Sequence, residues 1–169
     1  MALRDVDSRP PLGSGRKEPE PLSQSVTHLV EEARMLIPGV TAFLGFQLIA
    51  VFNQGFSKLD PGEQEAHLLA TFLMLLSLII LLTPAAYHRQ IEPGWVSDGF
   101  VRLSSRLIMA ATPLFALGVT IDFYLLVRVV TEQQGIAAIC AGVALAITAL
   151  LWYGLPRIKP LARVLRGSD

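Results

Sequence analysis

Four apolar stretches of about twenty residues each govern what this chain can fold into; they run over residues 35–54, 66–87, 107–127 and 135–155. As helices rising 1.5 Å per residue, each crosses roughly 30 Å of hydrocarbon. A single stretch of this kind also fits a buried helix of a soluble domain. Four of them within 169 residues leave too little polar surface to dissolve the product. The arrangement of charge agrees, because only 17% of residues are charged and most gather between the stretches. Strand-like alternation is absent. The pattern predicts an all-α fold, a transmembrane four-helix bundle of two antiparallel hairpins.

The boundaries carry local signals. Residues 1–22 are rich in Pro, Gly and mixed charge, bury too little apolar surface to offset chain entropy, and read as a disordered cytosolic tail. An amphipathic lead-in helix is expected over 23–34, capped by Ser23 or Ser25, with Val26, Leu29, Val30 and Ala33 on one side. The four-span domain follows over 35–155, and 156–169 forms a basic tail. Asp60, Pro61 and Glu63 in "DPGE" have the spacing of a helix start. Gly55 and Gly135 are expected to end helices in a left-handed conformation, and Ser97 or Asp98 to cap the third span. No apolar core lies in the first 33 residues, so a cleaved secretory signal is not expected.

Orientation follows from the Lys and Arg distribution. The N-terminal segment, the 88–106 connection and the C-terminal segment hold twelve of the 14 Lys and Arg residues; the other connections hold Lys58 and Arg128. Cytoplasmic connections carry the excess of positive charge, so both termini are expected in the cytoplasm. Trp95, Trp152 and Tyr153 then fall at that interface.

"EARMLIPG" (Glu32, Arg34, Pro38, Gly39) enters the first span, and "TPAAYHR" (Pro84, Tyr87, His88, Arg89) leaves the second. With four spans and short outer loops, these two motifs resemble a bacterial family of four-span membrane proteins of unknown function. The resemblance covers about residues 26–155. It implies a multi-pass protein of the inner membrane and no particular activity.

Three groups of residues stand out as candidate sites. Asp122 sits in "VTIDFYLLVR" with no basic residue within five positions. A carboxylate in hydrocarbon costs at least about 2.5 kcal/mol, so it must face protein or water or carry a proton. Gln47 lies at a similar depth, and Asn53, Thr71, Thr120 and Tyr124 share the layer. The group is either an ion or proton site or an interhelical hydrogen bond that fixes packing. Arg128, six residues on, is rotated to a different face and is expected to snorkel outward. A second group lies at the cytoplasmic interface: Glu31, Glu32, Arg34, Tyr87, His88, Arg89 and Arg106. It is either a headgroup, ion or proton-relay site or a salt-bridged collar that sets helix depth. Pro38, Pro84 and Pro113 each free a backbone carbonyl in the cytoplasmic half, and either open a vestibule there or serve packing.

Small residues repeat every four positions at Thr112, Ala116 and Thr120 on the third span and Ala138, Gly142 and Ala146 on the fourth. These are the expected helix contacts, while the second span, with little besides Ser77, is expected to face lipid more fully. Zero net charge offers nothing to nucleic acid, and the lone Cys140 precludes a thiolate cluster. Metalloprotease, serine-hydrolase and phosphate-loop motifs are absent, and Glu63 and Glu65 beside His67 read as helix-start charges rather than a metal site. No cofactor or metal is expected. The leading reading is a small non-enzymatic bacterial inner-membrane protein that assembles as a homo-oligomer or with a membrane partner. The alternatives are a homo-oligomeric proton or ion carrier using Asp122 and a membrane-embedded lipid-acting enzyme.

Overall fold

A computed structural model describes residues 22–91 and 95–157. The 1–21 tail and most of the basic tail lie outside the described residues. Four helices follow one another: α1 (Leu22–Ala50), α2 (Pro61–Ile91), α3 (Asp98–Thr131) and α4 (Gln134–Ala149). A 3-10 turn over Phe56–Lys58 links α1 to α2, and α4 runs on into a π turn over Leu150–Gly154. There is no strand among the described residues, and all four helices are long and apolar enough to cross a membrane. The α1–α2 and α3–α4 turns define one end of the bundle, here the loop end. The lead-in segment and first span form one continuous helix through Pro38, and Ser23 and Ser25 lie within it.

The helix ends follow local chemistry, with two departures. Pro61 opens α2, and Glu63 Oε2 accepts a hydrogen bond from the Asp60 N–H at 3.1 Å. Ser97 caps α3, its hydroxyl oxygen accepting from the Phe100 N–H at 3.1 Å. The glycine stops behave differently. α1 ends five residues before Gly55, which adopts an ordinary right-handed conformation (φ −62°). α3 runs on to Thr131, so the left-handed position falls on Glu132 (φ 55°) and Gly135 enters the first turn of α4.

α2 and α3 form the most extensive interface, α1 rests on both, and α4 rests mainly on α3. Along α2 the buried residues are His67, Ala70, Met74, Ser77 and Leu81. Along α3 they include Ser104, Ile108, Ala111, Gly118 and Leu125. Steps of three and four residues on α2, and of three, four and seven on α3, keep each set on one seam, the spacing of knobs packed into holes. The second span is therefore central, correcting the expectation that it faces lipid more fully. Its large apolar residues Leu68, Phe72, Leu75, Ile79 and Leu82 are exposed, while Ala70, Met74, Ser77 and Leu81 fill the seam. Gly118 marks the tightest approach: a Cβ there would lie 3.0 Å from Met74 Cγ and 3.1 Å from the Ala70 carbonyl oxygen. Ser77 donates to the Ala111 carbonyl at 3.0 Å across the same seam.

On α4 the buried residues are Ala137 and Ala141, while Ala138, Gly142 and Ala146 are exposed. The expected contact stripe is displaced by one residue. Towards the other end, Val40, Leu81, Ile108 and Ala111 form a buried cluster with Leu36, Leu78 and Phe115 against it.

Candidate functional site

The α2–α3 seam carries two ionisable residues where its other positions are apolar or small. His67 lies one step of three before Ala70, and Asp122 lies between Gly118 and Leu125. They meet: His67 Nδ1 lies 3.1 Å from Asp122 Oδ1. Gln47 of α1 completes the group, its side-chain Nε2 donating to Asp122 Oδ2 at 2.5 Å. The second imidazole nitrogen, His67 Nε2, lies 3.1 Å from the Gln47 backbone oxygen. One residue from each of three helices thus closes a polar triad near the loop end. Gln47 and His67 are 4% and 5% exposed. Phe56 packs edge-on against the imidazole at 5.4 Å.

A backbone oxygen only accepts, so a hydrogen bond between Nε2 and the Gln47 carbonyl takes the form with the hydrogen on Nε2. Nδ1 then faces Asp122 across a single hydrogen bond. Either an imidazolium donates to a carboxylate, or a carboxylic acid donates to a neutral imidazole. Both arrangements place one shared proton between the residues and give the pair zero net charge. Removing that proton would set a lone pair against a carboxylate. The triad therefore adds no net charge to the apolar layer, which is what lets Asp122 sit there.

A cavity of about 820 Å³ opens beside the triad, between α1 and α4 and floored by α3. Its walls are mostly apolar, with Phe43, Phe46, Phe115 and Phe123 along it and Trp152 at the far end. Gln47, Asn53, His67, Thr120 and Asp122 supply its polar edge. The Asp122 side chain is 23% exposed, the His67 side chain 7%. A smaller cavity of about 330 Å³ shares Leu59 and Val129 with the first and is bordered by Lys58, Glu63, Arg128 and Glu132.

The structure brings Asp122 and Gln47 into direct contact and places Thr120 and Asn53 on the same cavity. Thr120 and Thr71 each bond back to their own helix, at Ala116 and His67, and neither Thr71 nor Tyr124 lines the cavity. Arg128 does not snorkel freely. Its Nε lies 2.9 Å from Glu63 Oε1, an ionic contact with the N–H directed off the line to that oxygen. Antiparallel packing sets the last turn of α3 beside the first turn of α2, which a reading of α3 alone does not reveal.

At the opposite end, Glu31, Glu32, Arg34, Arg89 and Arg106 are exposed, with no ion pair between them among the described residues. Tyr87 and His88 pack on Phe100, with ring centres 6.2 and 5.3 Å away. Pro38, Pro84 and Pro113 lie inside continuous helices and line neither cavity. No group of three metal-binding side chains occurs among the described residues.

Fold and site together define a four-span, all-α membrane protein with a histidine–aspartate pair beside an apolar groove. The chain belongs to a family of unknown function, DUF6328, which it matches over residues 17–156. No curated protein and no solved structure matches it.

Proposed function

We propose that this is a small non-enzymatic protein of the bacterial inner membrane that works by holding a lipid-class molecule in the groove between α1 and α4. The groove carries this reading. Its volume falls in the roughly 300–1,000 Å³ range of small-molecule sites, which are likewise apolar with a few convergent polar groups. Its α3 floor runs from Phe115 to Val129, about 21 Å at 1.5 Å per residue. An apolar groove of that length accommodates an extended hydrocarbon chain. The experiment is native mass spectrometry of the purified protein after a detergent wash. One retained lipid-class adduct per chain is expected, lost when Thr148→Phe fills the groove. A bare wild-type chain would end the reading.

A second reading, self-assembly, is favoured by the outward Ala138, Gly142 and Ala146 stripe, which lets another backbone approach closely. Gly142→Leu should then lower the oligomeric state measured by light scattering. A wild-type protein that is monomeric at every concentration removes this reading and leaves the first intact.

A further inference from the structure

Resting on the groove reading, the geometry points to the head group: we infer that the occupant is an uncharged lipid alcohol whose hydroxyl donates to the Asp122 carboxyl group. The polar edge at this point is rich in acceptors. Each Asp122 oxygen has one contact, to His67 or to Gln47, and retains a further lone pair. The Asp122 side chain is still 23% open, on a residue that lines the groove. Behind it, Gln47 Oε1 is buried without a partner. The imidazole nitrogens face the Gln47 carbonyl and Asp122, and a Gln47 amide N–H faces Oδ2, so the open positions at Asp122 itself are acceptors; Asn53 is the other amide on the groove's edge.

Charge selects among donors. The triad is net neutral, and the adjoining cup sets Lys58 and Arg128 against Glu63 and Glu132, so it is also balanced. An ammonium head would bring an uncompensated charge into the apolar layer. A phosphate or carboxylate head would meet the Asp122 and Gln47 oxygens in a groove that no Lys or Arg lines. A hydroxyl has neither penalty. Length agrees as well: from the triad the groove continues to Trp152, so a hydroxyl at Asp122 leaves the chain lying along Phe115 and the α4 wall.

Trp152 gives a built-in reporter. In a Trp95→Phe background, a chain-brominated hexadecanol and its methyl ether are titrated into protein in micelles, and quenching of Trp152 fluorescence is followed. The two probes have the same chain, and the ether keeps the oxygen but cannot donate. A site with a polar group waiting for a hydroxyl discriminates against the analogue that lacks it. Saturable quenching is expected from both, with the alcohol at least about tenfold tighter, equivalent to about 1.4 kcal/mol. Asp122→Leu should reduce the alcohol to the affinity of the ether, whose unchanged binding reports an intact groove. If that variant does not fold, the wild-type ratio still decides. Equal wild-type affinities would overturn the alcohol inference while leaving the groove reading standing. Absence of saturable quenching by either probe, or quenching unaffected by Thr148→Phe, would remove the groove reading itself.

Discussion

His67→Leu is the most informative substitution. The histidine makes two contacts, to Asp122 and to the Gln47 carbonyl, and both link it to other helices. Interhelical hydrogen bonds in membranes average about 0.6 kcal/mol and reach about 1.7. Two bonds therefore account for roughly 1–3 kcal/mol. Leucine also leaves Asp122 without the base that shares its proton. That residual cost belongs to Asp122 alone, so removing both polar groups should recover part of it. The variants are His67→Leu, Asp122→Leu and the double variant, each unfolded reversibly in mixed micelles with sodium dodecyl sulfate. The expected pattern is two destabilised single variants and a double variant less destabilised than their sum by at least about 0.5 kcal/mol. Simple additivity would refute the shared-proton description. A His67→Leu variant as stable as wild type would show that the triad does not join the helices.

The remaining expectations concern packing, ends, charge and topology. Gly118→Ala should destabilise by about 1–3 kcal/mol in the same assay, because its Cβ meets the Ala70 carbonyl and Met74; Gly142→Ala, with open space around it, should not. Ser97→Ala removes the α3 cap and should cost about 1 kcal/mol, read from the same unfolding curves. In proteoliposomes, Asp122→Asn should leave ion and proton flux at the wild-type level; loss of a wild-type flux in the variant would reinstate the carrier reading. In a Cys140→Ala background, cysteine at Ser57 should react with an impermeant thiol reagent in intact cells and cysteine at Ser97 should not; the reverse would invert the assigned orientation.

Much of this architecture is legible in the sequence because hydropathy carries it: four long apolar stretches specify four helices before any contact is known. Contacts are harder, for identifiable reasons. Asp122 stands out by its cost in hydrocarbon, but its partner lies 55 residues away on another helix. Near Glu63 and Glu65, His67 resembles ordinary helix-start polarity. The available signal was its register, since 67, 70, 74, 77 and 81 form one seam. The α4 contact face is less recoverable. Ala137 and Ala141 give a stripe as small as Ala138 and Gly142, and residue size alone does not choose between adjacent registers. The glycine stops failed for a related reason: a left-handed end is set by where packing releases the helix, and α3 is held through Arg128 by Glu63 almost to its last residue.

The groove itself follows from how the helices are tied. The triad fastens α1 to α2 and α3 at Gln47, close to the end of α1. Phe43 adds an edge-on contact to Phe115, 5.7 Å between ring centres, on the same side of α3. α4 is fastened to α3 instead, by burial of Ala137 and Ala141 and by the Thr112 hydroxyl 3.1 Å from the Tyr153 hydroxyl. No hydrogen bond or ion pair among the described residues joins α1 to α4. Two helices docked independently on a third leave a furrow between them, and here the furrow is walled by phenylalanines from α1 and α3. A neutral triad at its edge allows that furrow to be polar at one point without carrying net charge into the bilayer. Substitutions at Ala137 or Ala141 should therefore move only the α4 wall of the groove and leave the triad on the other three helices in place.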